Sequence, residues 1–147
     1  MSATIDINTV ITAIEGLTIT GVTVAKPSDN VGVMQDHLLS LATGPTITNA
    51  RFDRVELSAQ NLNFRYTLTY KYFHCALSGM NPTNAMYSGL ITSIGNILKA
   101  FASHVTLAGA VDNMYPQLPV NGILQDAAGN SWFGAVITID ILQFLEV

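Results

Sequence analysis

Residues 62–72 alternate apolar and polar without a miss. Leu62, Phe64, Tyr66, Leu68, Tyr70 and Tyr72 fall on one side, and Asn63, Arg65, Thr67, Thr69 and Lys71 on the other. Successive side chains of a strand point to opposite faces, so the pattern predicts a long half-buried strand. At Phe73 the period breaks, because Phe73, Cys75 and Leu77 make the second side apolar as well. Either a bulge re-aims the strand there, or its far end is covered on both faces. The rest of the chain reads as cover or partner for this stretch.

Towards the N-terminus, Asp6 is placed to cap a short helix, whose face is marked by Ile7, Val10, Ile11, Ile14 and Leu17, with Gly16 as its stop. Residues 18–25 alternate and are rich in β-branched side chains, which predicts a strand, and residues 26–30 form a loop. Residues 31–43 fit no single period. They are expected to be irregular, with a turn of helix at 35–41. Residues 46–57 predict an imperfectly patterned strand. The turn Ser58-Ala59-Gln60-Asn61 joins it to the central strand as a hairpin.

Beyond the central strand, Asn81 is expected to cap the longest helix, with Pro82 at its first position. Tyr87, Leu90, Ile91, Ile94, Leu98 and Phe101 mark one face of it, with Ile97 beside them. Residues 105–119 read as a long loop, 120–126 as a short strand and 127–130 as a turn. Residues 131–144 predict the last strand, with Ala135, Ile137, Ile139 and Ile141 on one side and Val136, Thr138 and Asp140 on the other. This order implies one α+β domain over residues 1–147. Its architecture is a two-layer sandwich: a mainly antiparallel sheet with two helices packed on one face and an extended hairpin.

Composition narrows the function classes. Charged residues make up 11% of the chain against roughly 25% in ordinary soluble domains, so the surface is polar but sparsely charged. Such a surface suits a neutral monomer or a subunit covered by its neighbours. No apolar run approaches the ~20 residues of a membrane span. Six Lys and Arg in a chain of net charge −4 argue against specific nucleic-acid binding, which needs clustered positive charge. The single cysteine, Cys75, excludes an internal disulfide framework. The N-terminus lacks the basic start and apolar core of a signal peptide, which predicts a cytoplasmic protein, at least until it is assembled.

The residues that carry chemistry do not form a recognisable constellation. His74 and Cys75 are adjacent, and strand neighbours point apart, so they are expected to be a strand-end imidazole and a packed thiol. Asp36-His37 has no partner nucleophile in frame. His104 suits a helix C-terminus. Three scattered histidines and one cysteine show no metal-ligand spacing. Asp53 and Glu56 fall on opposite faces of a strand, and Gly21, Gly32 and Gly44 stand too far apart for a phosphate loop. Trp132 and the tyrosines are expected in the core. The reading is therefore of a non-enzyme without cofactor or metal.

The order of elements resembles the tail-terminator and tail-to-head joining (neck) proteins of long-tailed bacteriophages. The likeness runs over nearly the whole chain. It lies in the opening helix and strand, the long hairpin ending in RYTLTYKYFHCAL, the helix NAMYSGLITSIGNILKAF and the closing strand WFGAVITIDILQFLEV. Residues 31–43 match nothing in that pattern. The resemblance implies a structural virion protein that forms a homo-oligomeric ring, expected to be a hexamer. Its partners would be the tail tube protein and the head–tail connector, and DNA would pass through the ring. It implies residence at the virion neck, with assembly in the host cytoplasm, and no catalytic residues. The polar face Asn63, Arg65, Thr67, Thr69 and Lys71 is then the candidate inter-subunit or lumen face, against the alternative of an ordinary solvated sheet face. The rival function is a small-molecule- or peptide-binding α+β domain using the aromatic strand face and residues 105–119.

Overall fold

A computed structural model describes residues 4–25, 35–39, 46–56, 61–126 and 128–146. Helix α1 spans Ile7–Glu15, and strands β1 and β2 are Thr23–Ala25 and His37–Leu39. The hairpin strands are β3, Thr46–Glu56, and β4, Asn61–Ala76. Helix α2 runs over Asn84–Ser103, and a single 3-10 turn over Leu107–Gly109. Strands β5, Asn113–Pro116, β6, Val120–Gln125, and β7, Ser131–Glu146, complete the chain. The expected loop at 26–30, the irregular stretch at 31–34 and most of the 58–61 turn lie outside the described residues.

The two longest strands, β4 and β7, pair antiparallel along their whole lengths, from Asn61↔Glu146 to Ala76↔Trp132. A strand has two edges, and this pairing fixes what the others can carry. The outer edge of β4 takes β3 along residues 61–69 and β2 at residues 71–73. The outer edge of β7 takes β6 and then β5. The result, among the described residues, is a mixed, mostly antiparallel seven-stranded sheet in which β1 and β2 are the parallel pair.

The alternation of β4 is realised as expected. Tyr66, Leu68, Tyr70 and Tyr72 are buried beside Ala135, Ile137, Ile139 and Ile141 of β7. Val10 and Ile14 of α1 and Leu90, Ile94, Ile97 and Phe101 of α2 enter the same core, so both helices lie on this face. The sandwich of helices on one side of a sheet is the predicted architecture. Asp6 caps α1, accepting from the Thr9 N–H at 3.2 Å, and Gly16 ends it.

Four local expectations are corrected. The strand expected at 18–25 is shortened to β1, because Thr20-Gly21 turn the chain, with Gly21 at φ 71° and an Ile19↔Val22 bridge closing the turn. The turn of helix expected at 35–41 is instead β2, which is slotted between β1 and β4; tertiary pairing overrides a weak local pattern. Helix α2 is capped by Thr83, which accepts from the Met86 N–H at 3.3 Å, so Pro82 precedes the cap and Asn81 does not cap. Asn81 and Thr83 are both competent caps two residues apart, and composition does not separate them. Finally, residues 105–119 contain the 3-10 turn and β5. Pro116 is tolerated in β5 because its outer edge carries no strand among the described residues.

Packing of the sheet needs one glycine in particular. A Cβ on Gly134 would sit 1.9 Å from the Tyr72 carbonyl oxygen, so only glycine allows β4 and β7 to meet there. One residue further along β4 is the irregularity expected near Phe73. Phe73 pairs with Gly134 and Cys75 with Phe133, which leaves His74 as the extra residue of a bulge. The β6–β7 turn is closed by Asp126, whose carboxylate accepts from the backbone N–H groups of Ala128 and Asn130 and from Trp132 Nε1. The Trp132 bond, ahead of those from Asn130 and Ala128, holds its carboxyl below the ordinary aspartate range.

Candidate functional site

The face of β4 away from the helices carries Asn63, Arg65, Thr67, Thr69 and Lys71, as expected. It is not openly solvated. Thr67 is buried and the other four are half-buried between the side chains of flanking strands. The centre of this face is a cleft of about 300 Å³, lined by Asn49 and Arg51 of β3, Arg65, Tyr66 and Thr67 of β4, Tyr115 and Gln117 at the β5 end, and Asp140 and Ile141 of β7. Of the expected residues, Arg65 and Thr67 line the cleft. Asn63, Thr69 and Lys71 flank it on the same face.

Cross-strand register explains the gathering. Thr67 stands opposite Asp140 on one side and opposite Thr48 on the other. Its hydroxyl donates to Asp140 Oδ1 at 2.7 Å, and Gln117 Nε2 donates to both carboxylate oxygens at 2.9 and 2.8 Å. Arg51 stands opposite Arg65. It owes that place to a bulge: between Thr48↔Thr67 and Arg51↔Arg65, Asn49 and Ala50 together face the single residue Tyr66. Asn49 takes the left-handed conformation, φ 55°, and its carbonyl accepts from the Arg51 guanidinium at 2.9 Å. Unbulged pairing would set Ala50 across from Arg65 and turn Arg51 to the helix side.

A second polar cluster lies at the other end of β4. Asp36, just before β2, was read beside His37 in sequence, but its partners are elsewhere. Its Oδ1 accepts from the Tyr72 hydroxyl at 2.6 Å and lies 2.9 Å from His74 Nδ1. His37 Nδ1 turns instead to the Gln35 carbonyl oxygen at 2.7 Å. The other side of the His74 ring meets α2, where a Cβ on Gly89 would lie 2.7 Å from Nε2. The half-buried cluster thus joins the segment before β2, β4 and α2. Cys75 is a free thiol packed at the core's edge, and burial pushes its pKa up, which disfavours the reactive thiolate.

Among the described residues, no group of three His, Cys, Asp or Glu could hold a metal ion, and no helix is long and apolar enough to cross a membrane. No protein-family model matches the sequence, and a search of curated proteins finds no match.

Sequence reasoning missed Arg51, Asn49, Tyr115 and Gln117 as cleft residues. Asp140 was placed on the polar side of its strand, which was the available signal. For Arg51 there was none, because a single inserted residue reverses the side on which every later position falls.

Proposed function

We propose that the chain is a structural subunit that assembles with copies of itself into a ring. It would act as a tail terminator or head–tail joining protein that caps a phage tail tube and meets the head connector. The observation that supports this reading is a pair of sheet edges, on opposite sides of the sheet, that no strand among the described residues covers. No described strand pairs with the outer edge of β3, an 11-residue strand bearing exposed Ile47 and Phe52, the latter 55% accessible. The opposite edge, along β5 and β6, exposes Tyr115, Val120, Ile123 and, between the two strands, Leu118 at 92%. Unpaired edges recruit other strands, and apolar side chains beside them gain by burial. Two different edges on one chain suit head-to-tail contacts, which close into rings when the rotation allows. Hexameric closure, the tail tube and connector as neighbours, the virion neck as location and passage of DNA through the ring belong to the proposal through the family resemblance.

Of the surfaces the rival reading would use for a small molecule or peptide, the aromatic face of β4 is core, packed against residues of α1 and α2, and residues 105–119 supply Tyr115 and Gln117 to the cleft.

Sedimentation velocity and negative-stain microscopy over a concentration series test the proposal, because a free subunit of this kind can need high concentration to assemble. Rings are expected, and Leu118→Asp with Val120→Asp should abolish them while leaving a folded monomer. A wild-type chain that stays monomeric at high concentration and on added tail tubes would refute the reading.

A further inference from the structure

We propose that one flank of α2, with the part of β6 beside it, is a contact surface for a second copy of this chain, the two copies meeting through antiparallel α2 helices about a two-fold axis. Leu90, Ile94, Ile97 and Phe101 turn the buried face of α2 to the sheet. One flank is tied to the turn before β1, where Asn96 Nδ2 donates to the Thr20 carbonyl at 3.1 Å. The other flank carries Tyr87, Ile91, Gly95, Leu98 and Ala102, at the three- and four-residue spacing that lines side chains up along a helix. Leu98 is half-buried and the other four are exposed, Ile91 at 61%. The patch continues onto the sheet. The Tyr87 ring meets Phe133 edge-on, with centroids 4.8 Å apart. Ile123 of β6, 60% exposed, stands opposite Phe133 and so on the same face.

A helix side that meets only water ordinarily carries charged and polar residues. Lys99 is the one charged residue among the twenty of α2. The flank selects a second copy as its occupant because it complements itself. A two-fold contact requires residue i to meet j while j meets i. With the axis passing midway between positions 91 and 95, Ile91 of each helix meets Gly95 of the other. A Cβ on Gly95 would have no heavy atom within 4 Å, so the flank holds an open notch one turn away from the projecting Ile91. The same register brings the small Ala102 to Asn84. It also keeps the two Lys99 positions about 18 Å apart along the helices, whereas parallel helices would set them side by side. A helix packed 8–10 Å from α2 on this flank lies over the β6 side of the sheet, where it covers Ile123. Such a contact is on the order of 1,000 Å² or less, which makes the dimer weak and dependent on concentration.

The inference does not rest on the ring reading, because a two-fold contact cannot propagate a head-to-tail ring; in rings it would join two of them face to face. The test is sedimentation equilibrium of the full chain carrying Leu118→Asp and Val120→Asp, the pair that should abolish rings. Val120 lies on the opposite face of β6 from Ile123, so this background leaves the helix contact intact. A monomer–dimer equilibrium is expected. Adding Ile91→Gln should weaken it roughly tenfold or more, the loss at a central apolar contact. Gly95→Leu decides between a shaped contact and general stickiness. It adds apolar surface and favours the helix, yet it fills the notch, so it should weaken the dimer without lowering Tm. In a Cys75→Ser background, chains with Ile91→Cys mixed with chains with Gly95→Cys should form a disulfide between unlike copies under mild oxidation. A ring-blocked chain that stays monomeric at about 1 mM overturns the proposal. So does a Gly95→Leu chain that associates more strongly. A wild type without rings whose ring-blocked form still dimerises supports the helix contact and refutes the ring alone.

Discussion

Deleting one hydroxyl from the middle of the core should make the protein more stable. Tyr66, Tyr70 and Tyr72 stand at alternate positions on the buried face of β4. The Tyr66 hydroxyl donates to Gln143 Oε1 at 2.7 Å and the Tyr72 hydroxyl to Asp36. Tyr70 is 1% exposed, and its hydroxyl has no hydrogen-bond partner among the described residues. Burying a hydroxyl without a partner costs ~1–3 kcal/mol. Tyr70→Phe removes that cost and leaves a hole the size of one oxygen, worth about a few tenths of a kcal/mol at ~24 cal/mol per Å³. A net gain of about 1–2 kcal/mol follows, or roughly 3–8 °C in Tm for a domain of this size. Tyr66→Phe is the same chemical deletion with the opposite sign. It strands the acceptor of Gln143, a side chain 3% exposed, and should cost about 1–2 kcal/mol. Urea unfolding of the two variants beside the wild type, with unchanged m-values, measures both. A Tyr70→Phe protein no more stable than the wild type would refute the reasoning, because it would mean that the hydroxyl is satisfied.

Gly134→Ala should destabilise by about 3 kcal/mol or more in the same assay, since its Cβ meets the Tyr72 carbonyl at 1.9 Å and no rotamer relieves a backbone clash. Gly89→Ala improves helix propensity by up to ~1 kcal/mol, yet its Cβ would push the His74 ring off Asp36; a net loss of stability is expected, with a shifted His74 imidazole signal by NMR. Burial, the largest cause for each, raises the pKa values of Tyr66, Tyr70 and Tyr72 above the ordinary tyrosine value of 10.0. A folded pKa above the unfolded one stabilises fully below the unfolded value and is lost as pH rises through the folded one. The protein should therefore lose stability as pH climbs above about 10. Tyrosinate absorbance should show these three phenols ionising only as the fold opens.

The parts of the fold that were legible are those where one period holds long enough to outvote its exceptions. Residues 62–72 sustain the strand period: of the apolar side they name, Tyr66, Leu68, Tyr70 and Tyr72 are buried and Leu62 and Phe64 half-buried. The α1 cap was legible because Asp6 immediately precedes the helical pattern. The failures were short elements whose pairing comes from distant chain. Residues 37–39 are a strand because β1 and β4 supply partners on both sides, and no property of His-Leu-Leu announces that. Residues 113–116 are a strand because β7 is long enough to offer an edge to both β5 and β6.

The polar clusters fail to show in sequence for a more specific reason, which connects the two of them. Each is made where the strand period slips. At Asn49 and Ala50 the slip moves Arg51 across the sheet to Arg65, and at His74 the extra residue lies where Asp36 can reach its imidazole. A period-2 reading assigns faces by counting, and one inserted residue inverts the count without changing composition or hydropathy. The apolar face survives this, because many residues vote for it and burial penalises the wrong register. A pair of arginines or an Asp–His contact has no such redundancy. Bulged positions thus carry information that alternation discards. In this chain the regular register of β4 and β7 builds the core and sets Arg65 and Asp140 on the other face, and the irregular positions bring Arg51 opposite Arg65 and His74 to Asp36.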